Sequence, residues 1–437
     1  MELKQRKLST QLKIALGAGS VLLAGNMNVA NASDVRGFGQ DNIQNTNDLS
    51  LYQIEGVESL GFRIPASNTA VTLSGYVRGD FRYDDSSDLG DSFVVSSIPA
   101  DGSAGDERDG HIRLHARQSR LIVSSETELS NGKKLTTRFE GDFFGNGGNE
   151  SFSNSTSFRL RNAVASYDKW LIGQTWTNFM DFVAYPTTVD FFGPAGKSFA
   201  RQGQIRYTLD NGLSFSIENP ETDGNGALGR IRESTGGPGA DLLPDFTAAW
   251  RGGPGGAGGS YEISGIVRVL GVEGNILELE DPDDEDSDLV PTGPLVDETT
   301  TGFGVNLAGG WSFGPVSFAG SVTFGDGIGR YIINGAGNGV FVEDDGDLDA
   351  VSAFGYSANV KYDWTENSSS LLAIGGFENG DTAANGIDNL QTIHLNYIWS
   401  PYPSSSFGVE IIQGFNESAG GDEGSATRFA FGAQLNF

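Results

Sequence analysis

The chain has 437 residues and a formal net charge of −29, with a sequence pI near 4.3. That acidity argues against nucleic acid as a partner, since phosphate binding needs basic surface. The absence of cysteine excludes a disulfide framework and zinc–thiolate sites.

Residues 1–32 read as a signal peptide. Lys4, Arg6, Lys7 and Lys13 precede an apolar run at 14–24, and Ala30-Asn31-Ala32 supplies a small-x-small cleavage site. The run is too short to act as a membrane-anchoring helix. Cleavage would remove four basic side chains and Glu2, leaving the rest more acidic still. Residues 33–68 are polar and irregular and read as a periplasmic N-terminal extension. They show no apolar heptad.

From residue 69 onward the chain divides into segments of about ten residues with alternating hydrophobicity, the period-two mark of half-buried strands. The pattern predicts sixteen strands. The first eight lie near 69–84, 111–126, 133–145, 156–167, 169–176, 200–209, 212–219 and 243–251. The rest lie near 259–269, 300–312, 316–325, 350–363, 369–378, 388–399, 405–415 and 426–437. Tight connections (Asn131-Gly132, Asp168-Lys169, Asn211-Gly212, Gly314-Pro315, 401–404) alternate with long acidic ones (85–110, 177–199, 220–240, 270–299, 326–349, 416–425). Asn-Gly is the usual two-residue hairpin turn, in which both positions take positive φ. Short turns on one side and long loops on the other are the asymmetry of outer-membrane barrels. The expected fold is therefore all-β: a transmembrane antiparallel β-barrel of about 16 strands spanning 69–437. A secreted β-sandwich or β-helix would not explain that asymmetry or the aromatic rows.

Those rows are clearest at the end of the chain. Thr427, Phe429, Phe431, Ala433, Leu435 and Phe437 share one face, and Arg428, Gln434 and Asn436 the other. Ile393, Leu395, Tyr397 and Trp399, and Phe354, Tyr356, Val360, Tyr362 and Trp364, repeat the logic with aromatics where an interfacial girdle would sit. A last strand ending in Phe437 resembles the signal read by the barrel-assembly machinery.

The alternate positions would line the lumen. They include Arg78, Asp80 and Arg82 on the first strand, and Arg113, His115 and Arg117 on the second. Arg138, Glu140 and Asp142 follow, then Arg159 and Arg161, then Gln202, Gln204 and Arg206. Around 118–121 the parity slips, as a bulge would cause, so Arg120 has no assigned face. Two readings of the arginines stand open. Free guanidinium groups would favour anions, as charged rings do in other pores. Alternatively, they pair with Asp80, Glu140, Asp142, Glu218 and Glu410 and brace the barrel. The acidic loops read as solvated faces, with a looser option that divalent cations bridge them to lipopolysaccharide.

Between the strands ending at Trp176 and starting near residue 200 lie two dozen residues rich in Phe, Tyr, Pro, Gly and Asp. This is too long for a turn and too aromatic for a solvated linker, which points to function. The expectation is that 177–199 folds into the lumen and narrows it. Catalysis is not expected: only His111, His115 and His394 could serve as imidazole bases, with no Ser-centred elbow or His-x-x-x-His pair beside them. No cofactor or metal site is expected either, because the EF-hand pattern is incomplete and the Gly-rich tracts follow no strand-to-helix context.

The residues IGQTWTNFMD (172–181), PTTVDFFGP (186–194) and FARQGQIRY (199–207) resemble the DcaP-like porin family of Gram-negative outer membranes. RQSRLIV (117–123) and FEGDFFG (139–145) fit it as well. The resemblance is best over about 70–210. It implies a sixteen-stranded, trimeric barrel in the outer membrane, with the third long loop folded inward and a preference for small anionic solutes such as dicarboxylates. On that analogy Trp176, Asn178, Asp181, Tyr185, Pro186, Asp190, Phe192 and Lys197 shape the eyelet, facing wall arginines. Some family members carry an N-terminal coiled coil, which the missing heptad of 33–68 does not support here. The leading expectation is a passive diffusion channel for small hydrophilic solutes, biased toward anions. The alternative is a structural or adhesive barrel with a plugged lumen.

Overall fold

On the last strand Phe429, Phe431 and Leu435 are 49%, 41% and 59% exposed, while Arg428, Ala430 and Gln434 are buried. Apolar side chains outside and charged ones inside is the reverse of a soluble protein. The inversion recurs around the sheet: Val77, Trp170, Phe246, Phe303, Tyr397 and Trp399 are exposed, and Arg78, Arg206, Thr247, Asn306 and Asn396 are buried. Such an outer face suits hydrocarbon.

The computed structural model describes residues 60–437 except 65–66, 107–109, 146–151, 227–230, 233–240, 277, 280–288, 291–294, 334–338, 343–346 and 381–385. The expected signal peptide, and the extension as far as residue 59, lie outside the described residues. So do the densest acidic stretches of two loops, at 280–288 and 343–346.

Sixteen strands form one closed antiparallel barrel. They are β1 (Thr69–Asp84), β2 (His111–His115 and Arg120–Glu128), β3 (Lys134–Gly145), β4 (Ser157–Tyr167), β5 (Trp170–Trp176), β6 (Arg201–Thr208), β7 (Leu213–Glu218) and β8 (Asp245–Gly252). Then come β9 (Ser260–Ile276), β10 (Leu295–Phe313), β11 (Val316–Asp326), β12 (Ser352–Thr365), β13 (Ser368–Asn379), β14 (Ile387–Tyr402), β15 (Ser405–Ser418) and β16 (Glu423–Asn436). Each pairs with the next, and β16 closes on β1 with Phe431 opposite Phe81 and Arg428 opposite Asp84. Closure removes the open edges a sheet would otherwise expose to lipid.

Three local features differ from the sequence expectation. Strands β9 and β10 run past the predicted ends and stay paired as far as Asn275 and Leu295. Leu60–Arg63, expected to be irregular, is a strand paired with residues 70–73 of β1. Phe437 meets β1 at Gly75, and this segment covers the edge of β1 ahead of that contact. The Asn-Gly turns are also not two-residue turns. Only Gly132 (φ 76°) and Gly212 (φ 84°) are positive. Leu129 N–H donates to the Lys133 carbonyl and Gly132 N–H to the Leu129 carbonyl, with the same pattern at Leu209 to Leu213. These are three-residue loops, a type I turn closed by a left-handed glycine. The asparagines serve differently: Asn131 Oδ1 and Asn211 Oδ1 accept from the N–H groups of Lys133 and Leu213.

Candidate functional site

The inward face of β1 to β6 carries the expected arginines, and each is already bonded within the protein. Arg78 donates from Nε and Nη2 to Asp80 Oδ1 at 2.9 and 2.8 Å, and Arg82 Nη1 donates to Asp190 Oδ1 at 2.9 Å. Arg138, Arg161 and Arg120 converge on Glu140 at 2.6, 2.8 and 3.1 Å. Arg159 and Arg161 share Asp142 at 2.7 and 2.9 Å. Arg206 Nε donates to Gln204 Oε1 and its Nη2 to the Trp176 carbonyl. Arg113 bonds Asp88 and Asp91, and Arg117 bonds Asp91. Arg78, Arg82, Arg138, Arg161 and Arg206 are buried, whereas Arg159 keeps 32% of its side chain accessible.

The parity slip around residue 118 is a bulge. His115 stands opposite Asp80 and Arg120 opposite Tyr76, so residues 116–119 face only residues 77–79. One extra residue turns Arg120 inward, where it reaches Glu140.

Two of the expected carboxylate partners do something else. Among the described residues, Glu218 and Glu410 bond no arginine. Instead they hold the segment 177–199. Glu218 Oε1 accepts from Asn178 N–H at 2.8 Å. Glu410 accepts from the N–H groups of Val189 and Asp190 at 2.6 and 3.3 Å, and also binds His394 Nδ1 and Asn396 Nδ2. His394 is therefore a fully buried partner of Glu410 rather than a free base.

The segment makes further bonds to polar side chains of distant strands. Ala195 N–H donates to Thr392 Oγ1, Asn359 Nδ2 to the Ala184 carbonyl, and Asn396 Nδ2 to the Thr187 carbonyl. Gly196 (φ +81°) lies where a Cβ would sit 1.8 Å from the Gly376 carbonyl, and a Cβ on Gly375 would sit 2.1 Å from that of Ala195. Backbone meets backbone there, which only glycine allows.

Of the expected eyelet residues, Asn178, Asp181, Asp190 and Lys197 are buried, while Tyr185 and Phe192 stay partly accessible. Trp176 is the last residue of β5 rather than part of the loop. Asn178 Oδ1 accepts from Arg251 Nη1 and Ser214 Oγ, and Asp181 Oδ1 accepts from Ala184 N–H. Tyr185 and Pro186 line a cavity of about 500 Å³ with Arg251, Glu262, Asn359 and Lys361, on the short-turn side. Lys197 Nζ donates to the Phe192 carbonyl at 2.6 Å and lies 4.2 Å from the Tyr185 ring centre.

Burial pushes the Lys197 amine down to about 7, against the pull of Asp181, Asp190 and Glu410. Burial likewise raises the Asp181 carboxyl. Burial also acts upward on Asp190, but Arg82 and Arg428 outweigh it and hold that carboxyl below its ordinary value.

The sequence reading missed two things. The connection 85–110 is not simply a solvated acidic face. Leu89, Phe93, Val95 and Ile98 are buried in one apolar cluster with Phe179 and Ala195 of the segment 177–199 and with Ile328, Tyr331 and Ile332 of a third loop. The signal was the apolar run Phe93-Val94-Val95 inside an acidic stretch. Backbone bonds fasten the second and third loops together: Ile333 N–H donates to the Lys197 carbonyl and Phe199 N–H to the Tyr331 carbonyl. The second omission is Arg201, at the start of β6.

The class defined by these features is a large outer-membrane-type β-barrel with the fold of the porins. Residues 33–212 match the model of the family described as DcaP outer membrane protein, which bears out the resemblance seen in the sequence. The structure of the outer membrane channel DcaP of Acinetobacter baumannii is 24% identical, with a TM-score of 0.70, over 86% of this chain and 99% of that one. In-vitro folded OmpT of Vibrio cholerae is 12% identical (TM-score 0.51; 87% and 100% covered). The anion-selective porin from Comamonas acidovorans is 15% identical (TM-score 0.51; 84% and 100%). No curated protein sequence matches the chain.

Proposed function

We propose that this protein is a passive diffusion channel of a Gram-negative outer membrane, taking small hydrophilic solutes with a preference for anions such as mono- and dicarboxylates. The observation that carries the reading is the cation-rich inner wall of β1 to β6 within a porin fold: Arg78, Arg82, Arg113, Arg117, Arg138, Arg159, Arg161 and Arg206, with Arg120 and Arg201 beside them. Most of these cations neutralise wall carboxylates, so the bias rests on the accessible members, Arg159 foremost. The segment 177–199 acts as the constriction, with Tyr185 and Phe192 at its accessible rim and Pro186 buried beside them. A cleaved signal peptide delivers the chain, Phe437 is read by the barrel-assembly machinery, and the barrel assembles as a homotrimer among lipid and lipopolysaccharide. No enzymatic activity, cofactor or nucleic acid enters the proposal.

A second reading has one specific observation behind it. Three loops share an apolar cluster containing Phe93, Phe179 and Tyr331, which is how a plug would be built. Reversal potentials in a planar bilayer under a salt gradient separate the two. Conductance with anion preference supports the channel and its bias. Conductance with cation preference leaves the channel and removes the bias, and absence of conductance favours the plugged barrel.

A further inference from the structure

Arg201 stands apart from the other arginines of the inner wall. Among the described residues its side chain makes no ion pair or hydrogen bond, and its Nη1 is buried without a partner. Among the described residues the wall carboxylates Glu140 and Asp142 do not bond it. Those two carboxylates are already taken up by Arg120, Arg138, Arg159 and Arg161. A second donor nearby is also unused: Trp176 Nε1 is buried with no hydrogen-bond partner. The Arg201 guanidinium lies 4.8 Å from the centre of that indole ring. A partly buried cation with a buried, unpartnered Nη1, beside an idle N–H, is costly unless an anion completes it.

The surroundings say which kind of anion. Arg159 lies 5.2 and 5.5 Å from the ring centres of Phe144 and Phe191, and Arg161 lies 5.3 Å from Phe191. Phe144 and Phe191 pack 4.7 Å apart and both remain partly accessible, as Arg201 does. Surplus positive charge is thus bordered by aromatic faces. An anion with a flat apolar body gains from both, through a charge-assisted hydrogen bond and through ring contact.

We propose that Arg201 is the anion-recognising group of the barrel interior, receiving a carboxylate together with the Trp176 indole N–H, and that the site prefers carboxylates carrying a planar aromatic body. The accessible Arg159 draws anions toward it, and the buried paired arginines act as scaffold around it. The inference rests on solutes reaching the barrel interior, and it deepens the anion bias proposed above.

The test is calorimetric titration of the detergent-solubilised full barrel with sodium benzoate, then with sodium acetate. Benzoate is expected to bind more tightly than acetate. Arg201→Gln should weaken benzoate about tenfold or more, the scale of one charge-assisted hydrogen bond in a desolvated site. Trp176→Phe keeps a ring but loses the N–H, and should weaken it by a smaller factor. Arg201→Lys keeps the charge without the planar fork and should fall between, which preserves the test if the glutamine variant does not fold. Unchanged benzoate affinity in Arg201→Gln overturns the proposal, as does failure of the unmodified protein to bind benzoate. Equal affinity for acetate overturns the aromatic preference. Binding is read separately from conduction. Benzoate binding without conductance would sink the channel and keep the site, whereas anion current without benzoate binding would do the reverse.

Discussion

Val189 and Glu410 are 221 residues apart in sequence, and the Val189 N–H donates to Glu410 Oε2 at 2.6 Å. The same carboxylate takes the Asp190 N–H, His394 Nδ1 and Asn396 Nδ2. Glu410→Ala would leave two loop N–H groups and His394 Nδ1 without this partner, at about 1–3 kcal/mol for each group that stays buried. The turn 187–190 should come loose, and if it forms the constriction, single-channel conductance should rise. Unchanged conductance would show that this segment does not limit the path.

Glu140 is the node of the paired wall, bonded by Arg120, Arg138, Arg161 and Asn162. Glu140→Gln removes the charge that balances three guanidinium groups. A buried pair broken on one side costs about 3–5 kcal/mol. The temperature at which the barrel loses its folded mobility on SDS gels should drop clearly. Arg113→Gln, at a partly accessible pair worth about 1 kcal/mol or less, should lower it far less. Equal shifts would contradict the bracing role.

Lys197 gives a pH signature. Its folded pKa, near 7, lies below the ordinary 10.5 because burial disfavours the charged amine. Between those values the unfolded chain binds more protons, so stability rises with pH across roughly 7 to 10.5. Below pH 7 the penalty is complete, and above 10.5 it is gone. The unmodified barrel should resist heat better at pH 9 than at pH 7, and Lys197→Met should flatten that slope. A slope that persists in the variant would place its origin elsewhere.

Gly196 offers a steric probe of the same segment. An added Cβ would fall 1.8 Å from a carbonyl of β13, and φ at +81° is itself unfavourable for alanine. Gly196→Ala should lift the segment 193–198 from the wall, raising protease sensitivity there while the barrel strands stay intact. Sensitivity equal to that of the unmodified protein would mean that the contact is not tight.

Much of the barrel was legible in the sequence, because strand patterning is local. Alternation along β14 and β16, with Tyr397, Trp399 and Phe431 outside and His394, Asn396 and Arg428 inside, follows from a period-two backbone between oil and water. Even the bulge near residue 118 showed as a broken parity. The turn type at Asn131-Gly132 was misjudged because a single dipeptide fits both two- and three-residue loops, and the choice lies in strand register.

The sequence by itself determined the strand count and the alternation of inward and outward faces along the strands. Only the tertiary structure decided which charges are spent. Arg161 falls on the inward parity in the sequence, whereas Arg201, one residue before the inward-facing Gln202, does not. One is bonded to Glu140 and Asp142, and the other meets no carboxylate among the described residues, only the face of Trp176. Whether a guanidinium finds a carboxylate depends on shear between strands and on where loops land. Those are long-range relations that no local pattern encodes.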